Sequence, residues 1–211
     1  MSRISFAVLP LALLAACGPR YNLVVPKDVV EKLPYESRIE LLESENELAV
    51  AADKLDESRN QVTRTRDAIR RARSRLSAAE GEEREARDAP SREVAHLAIE
   101  EGQARVEYLH AQQELNLRGL EVEELQFRCA YARFEQSRLA AVRKAKVEGS
   151  EKLQPEEFDK QVKACDAEVA QRKSSLKEEA KKAEGVRTSW QAKKDALAKK
   201  TFDARASPYV E

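Results

Sequence analysis

Aromatic residues are scarce in this 211-residue chain, at 5 %, with a single Trp. That leaves too few π-faces for a base-stacking nucleic-acid platform. Net charge is also missing. The 38 basic and 38 acidic residues cancel, so no wholesale attraction to nucleic acid arises. Six Gly and seven Pro supply few turn signals, which argues against a many-looped fold. The only two histidines, His96 and His110, would stand about 21 Å apart along a helix and cannot share a metal. No phosphate-cradling glycine loop, nucleophile elbow or His-Glu-x-x-His helix occurs. The sequence therefore predicts no enzyme, no cofactor, no metal site and no small-molecule substrate.

Charged residues are abundant at 36 %, in a background rich in Ala and Leu. That mixture favours long helices or coiled coil over a compact core. Disorder is the competing reading, and sustained seven-residue spacing of large apolar side chains argues against it. Between Tyr35 and Glu80, Leu41, Leu48, Leu55, Val62, Ile69 and Leu76 recur every seven residues. A row of small residues, including Ala51, Ala72 and Ala79, follows three positions behind. From Ser91 to Val147 there are two apolar stripes. One runs Ile99, Val106, Leu120, Phe127, Phe134, Ala141 and the other Tyr108, Leu115, Val122, Cys129. Their two-residue offset is roughly 200° on a helix, so they face nearly opposite ways. Such a helix needs a partner on each side. Pro155 and early acids open the last helix, whose stripe is Val162, Val169, Leu176, Ala183, Trp190, Leu197. The predicted fold is all-α, an elongated antiparallel three-helix coiled-coil-like bundle with helices at about 35–80, 91–147 and 155–200. Residues 201–211 read as a tail. Heptads alone do not decide whether pairing is within or between chains, so a homo-oligomer stays open.

The first reversal falls between Gly81 and Pro90, with Ser91 as a capping start. Gly102 and Gly119 lie inside the central helix, each unfavourable by about 1 kcal/mol relative to Ala. The basic stretch Arg59, Arg64, Arg66, Arg70, Arg71, Arg73 and Arg75 is read as matched by Glu93, Glu100, Glu101 and Glu107 of the returning helix. The alternative is a site for an anionic partner. Lys173, Lys177, Lys181 and Lys182 are expected near Glu114, Glu121, Glu123 and Glu124. Cys129 and Cys165 flank the second reversal, on surfaces that antiparallel packing brings together. We expect a disulfide, worth about 3–4 kcal/mol in the chain-entropy model. The alternative is two buried free thiols. With helices ending at Val147 and starting at Pro155 the two arms would differ by roughly 12 Å, so the connector must climb back or the central helix must end early.

The front of the chain is a targeting segment. Arg3 precedes an uncharged, largely non-polar run from Ile4 to Ala16, well short of the about 20 residues that span a bilayer. It ends Leu14-Ala15-Ala16-Cys17-Gly18. This resembles the lipobox of bacterial lipoproteins, over about the first 18 residues only. The resemblance implies a signal peptide at 1–16, cleavage before Cys17, and acyl chains on Cys17 that make a firm membrane anchor. Gly18 in place of Asp implies the outer membrane rather than retention at the inner one. The side expected is the periplasmic one, with the cell surface as the alternative. Residues 17–34, with Pro19, Pro26 and Pro34, read as a lipid-anchored linker reaching about 55 Å when extended, with a short helical turn over Lys27 to Leu33 as the alternative. The function expected is a structural or scaffolding role in the bacterial envelope through contacts with other envelope proteins. An accessory subunit of a transport or secretion machine is the alternative, because the hairpins look somewhat like those of periplasmic adaptor proteins. The small major outer-membrane lipoprotein carries a terminal lysine for covalent attachment to peptidoglycan. This sequence ends Val210-Glu211, so that link is not expected.

Overall fold

The computed structural model describes residues 21–201. Cys17 with its lipobox, and the tail from 202, lie outside the described residues. The order is α1 (Lys27–Val30), α2 (Tyr35–Ile39), α3 (Leu42–Glu85), α4 (Ala89–Lys144), a 3-10 turn (Ser150–Lys152) and α5 (Pro155–Thr201). The chain is all-helical among the described residues, with long helices packed on one another. α4, at 56 residues, extends about 84 Å.

Pairings along the helices fix their direction. Thr65 meets Asn116, Arg73 meets His110 and Glu83 meets His96, so α3 and α4 run antiparallel. Cys129 meets Cys165, Glu121 meets Arg172 and Glu93 meets Lys200, so α4 and α5 do too. α4 packs extensively with both neighbours, and α3 and α5 share no packing of that extent. The two stripes divide accordingly. Ile99 joins Ala79 and Leu76 of α3, whereas Cys129 and Tyr108 meet α5. Buried side chains gather in three clusters. The largest is at the α4–α5 turn, with Leu139, Val142, Val147 and Phe158. A second surrounds Cys129, and a third lies at the far end around Leu197. Between them the α3–α4 seam turns polar: Asn116 donates to Thr65 at 2.8 Å and accepts from Gln112 at 3.0 Å.

Several boundaries differ from expectation. The first long helix is split near Glu40, with Leu41 N–H donating to the Arg38 carbonyl three residues back. Arg38 folds its guanidinium onto the carbonyls of Leu33 and Glu31, which tightens this corner. α3 continues through Gly81 to Glu85. The cap of α4 is Asp88, whose carboxylate accepts from Ser91 N–H at 2.7 Å, so the helix starts before Ser91 and carries Pro90 in its first turn. α4 ends at Lys144 in a left-handed cap. Lys146 has φ 50°, its N–H donates to Arg143, and Val147 N–H donates back to Val142 at 2.9 Å. Both valines are buried together, completing the hydrophobic contact of such an ending.

The segment expected to be a spacer is docked instead, over its described part. Val25, Val29 and Leu33 recur every four residues, form one apolar face and are buried against Leu139, Val142 and Phe158. Pro26 and Pro34 stand at the N-caps of α1 and α2, where no helical N–H is lost.

A lysine in left-handed geometry is unfavourable by about 1 kcal/mol, which glycine would relieve. Lys146→Gly should therefore raise the thermal midpoint. An unchanged or lower midpoint would show that Lys146 carries no such strain.

Candidate functional site

The described chain begins on the flank of the α4–α5 pair. The Tyr21 hydroxyl donates to Glu168 at 2.6 Å, Leu23 N–H to Gln161 at 3.0 Å, and Val25 N–H to Glu135 at 2.8 Å. This leader segment before α1 thus satisfies two backbone donors on one amide and one carboxylate of the rod, and its tyrosine hydroxyl on a second carboxylate. Glu135 is fully buried and also accepts from Arg138, whose guanidinium lies 4.1 Å over the Phe134 ring. Burial first, then the bond to Glu168 and its charge, push the Tyr21 phenol from 10.0 up to about 12. The bond is therefore intact below pH 10 and is lost as pH rises through about 12. Tyr131 is pushed up as well, by burial and then by the Glu135 charge.

Cys129 and Cys165 lie beneath Tyr21, fully buried, with Cα atoms 5.6 Å apart and sulfurs at bonding distance. The expected mismatch of the arms is resolved partly by α4 ending at Lys144, and Ala145 to Gln154 climb back over the larger remaining gap of about 7.5 Å. On the other side of Cys129 an open groove of about 500 Å³ runs between α3 and α5. Its walls include Val50, Lys54, Val169 and Lys173, and its floor Gln126 and Ala130.

No known protein family, curated protein or solved structure matches this chain.

At the far half of the rod Trp190 packs on Tyr108, Arg105 and Glu101 of α4. It stacks on Tyr108 at 5.1 Å with planes 5° apart, and Arg105 and Lys194 each approach the ring at 5.4 Å. Its indole N–H donates to Glu101 at 2.7 Å. Trp190 is the seam residue that its spacing predicts. Glu101, expected to face the basic stretch of α3, sits seven residues before Tyr108 and so continues the α5-facing stripe. That position is the signal for a buried acid. Glu101 is fully buried, and its second carboxyl oxygen has no hydrogen-bond partner. Desolvation raises its pKa above 4.5, and the Trp190 bond, Arg105, Lys194 and Arg75 oppose the rise without cancelling it.

The charged faces pair less across helices than expected. In the basic stretch Arg59 meets Asp56, Arg64 meets Glu57 and Arg70 meets Asp67, all within α3. Arg73 reaches across, but to His110, and Arg75 contributes to the field at Glu101. Lys181 and Lys182 pair with Glu178 and Glu179 of their own helix, and Arg172 is the residue that reaches Glu121. Helical i,i+3 reach explains all but one of the within-helix pairs, since a neighbour one turn away is closer than one on the next helix; Arg64 instead reaches two turns back to Glu57. His96 stands between Glu83 and Glu100 at 3.4 Å from each. Among the described residues no group of three or more His, Cys, Asp or Glu is arranged to hold a metal, and no helix is long and apolar enough to cross a membrane.

A raised carboxyl pKa favours the folded state below 4.5 and loses that advantage as pH rises through the shifted value. Glu101→Gln keeps an acceptor for Trp190 without a charge. Denaturation should show the variant gaining on wild type as pH rises past 4.5. A wild-type advantage that grows with pH would contradict this account of Glu101.

Proposed function

We propose that this chain is a lipoprotein of the bacterial envelope, anchored through Cys17, whose ectodomain is an antiparallel three-helix rod acting as a scaffold for other envelope proteins. The observation that carries the reading is the lipobox-like run Leu14-Ala15-Ala16-Cys17-Gly18. Support comes from the cysteine pair at bonding distance, which suits an oxidising compartment such as the periplasm. The long helices offer extended charged faces and an open groove between α3 and α5. Surface pairs of the kind seen here contribute only about 0–1 kcal/mol each. Those faces are accordingly free to exchange internal partners for the charges of another protein.

The outer membrane is the proposed location, facing the periplasm, on the strength of Gly18. Cys129 and Cys165 form a disulfide there that clips the α4–α5 hairpin beside the docked leader.

Fractionation tests the anchor. Cys17→Ser should move the chain from the membrane pellet to the soluble fraction, and unchanged pelleting would refute lipidation at Cys17. Alkylation of the unreduced wild type under denaturing conditions should leave Cys129 and Cys165 unlabelled, and labelling of both would refute the disulfide. Cross-linking in cells from exposed positions along α3 and α5 should capture envelope proteins without an export defect on deletion. Capture of a channel or pump, with such a defect, would instead make the chain a transport accessory.

A further inference from the structure

The described chain starts at Tyr21, held at the level of Glu168 on α5. Glu168 lies about 20 Å up the helix from Pro155, at the tip where α4 turns into α5. Only four peptide steps separate Tyr21 from Cys17, a reach of about 14 Å at most. This inference rests on the proposed lipid at Cys17. Given that lipid, the tether is shorter than the length of rod below its attachment point. An upright rod would have to sink its tip about 6 Å, which matches the depth of a lipid headgroup layer. Tilting the tip away instead brings the longer arm, about 50 Å from Glu168 to Thr201, down towards the bilayer, and the distribution of exposed apolar side chains decides which end makes contact.

The tip is also where apolar surface is left uncovered. Among the described residues the exposed large hydrophobics are Val24, Tyr35, Ile39, Leu42 and Val50, all in the first thirty positions of a chain described to 201. Tyr35, Ile39 and Leu42 are 74 %, 49 % and 58 % exposed. Their i, i+4, i+7 spacing puts them on one face, because Glu40 and Leu41 between α2 and α3 keep right-handed helical dihedrals. Glu40 bonds to Lys144 at 2.6 Å, which fixes this face beside the C-terminus of α4. The rest of the rod, to Thr201, has no comparable patch among its described residues.

We propose that the Tyr35–Ile39–Leu42 face seats in the headgroup region of the membrane that holds Cys17. The lipid and this face form a two-point attachment that fixes the rod's angle. The face is too small to bind a bilayer on its own. Once the lipid is inserted, contact becomes an intramolecular event at high effective concentration. Tyr suits the interfacial layer, with an apolar ring and a polar tip.

The test uses the full lipidated chain in phosphatidylethanolamine–phosphatidylglycerol vesicles, part of whose acyl chains are brominated to quench indole fluorescence. Reporters are Ile39→Trp, with Leu42→Trp as a second should the first not fold. Asn60→Trp, exposed and 18 residues beyond Leu42 on α3, is the control. Flotation with the vesicles is scored alongside. Quenching at Ile39→Trp several-fold above Asn60→Trp, in chains that float, is the expected result. Equal quenching in chains that float overturns the seating and leaves the anchor intact. Chains that do not float overturn the anchor and this inference with it. A detergent-solubilised dimer dispersed by Ile39→Asp, with Ile39→Trp unquenched in vesicles, assigns the face to a second copy and overturns it as well.

Discussion

The architecture depends on one helix having two apolar flanks. α4 cannot bury Ile99 and Phe134 on one side, and Cys129 on the other, with a single neighbour. α3 and α5 therefore attach to it independently, each through its own seam. Stability becomes a series of modest contacts along the length, divided among the described residues over three separate clusters. The polar layer of Gln112, Asn116 and Thr65 adds little to that series but penalises any slip of the α3–α4 register, because a displaced Asn would be left unpaired.

The distribution of firm contacts is uneven along the rod. At the α4–α5 turn the docked leader, the cysteine pair, the left-handed helix ending and the largest apolar cluster lie close together. Further along, Trp190 and the buried Glu101 hold α5 to α4 by stacking and a hydrogen bond rather than by aliphatic packing. A rod built this way is most firmly held at the α4–α5 turn, which suits the anchored scaffold proposed above.

Much of this was legible in the sequence because heptad spacing encodes which side of a helix is buried. The Leu41–Leu76 row, the opposed stripes of α4 and the Val162–Leu197 row all face as their spacing predicts, and the meeting of Cys129 with Cys165 follows from the same geometry. Other features were hidden for physical reasons. Val25, Val29 and Leu33 show a helical period over only three residues, too short to stand out between prolines. Glu135 looks like any surface acid until its neighbours are placed, and Glu101 is betrayed only by its place seven residues before Tyr108. Charge pairing was misjudged because acids and bases of equal abundance fit either local or cross-helix partners, and reach within one turn decides between them. Cys17, on which the functional reading turns, lies outside the described residues, so its role stands on the lipobox sequence.

The central claim is that α4 is covered from both sides along its length. Native-state hydrogen exchange followed by peptide mass analysis tests it directly, because helix amides exchange through local opening. α4 should be the last helix to exchange at every level of the rod, with α3 and α5 faster on their outer faces. Exchange in α4 as fast as in either neighbour would contradict the account.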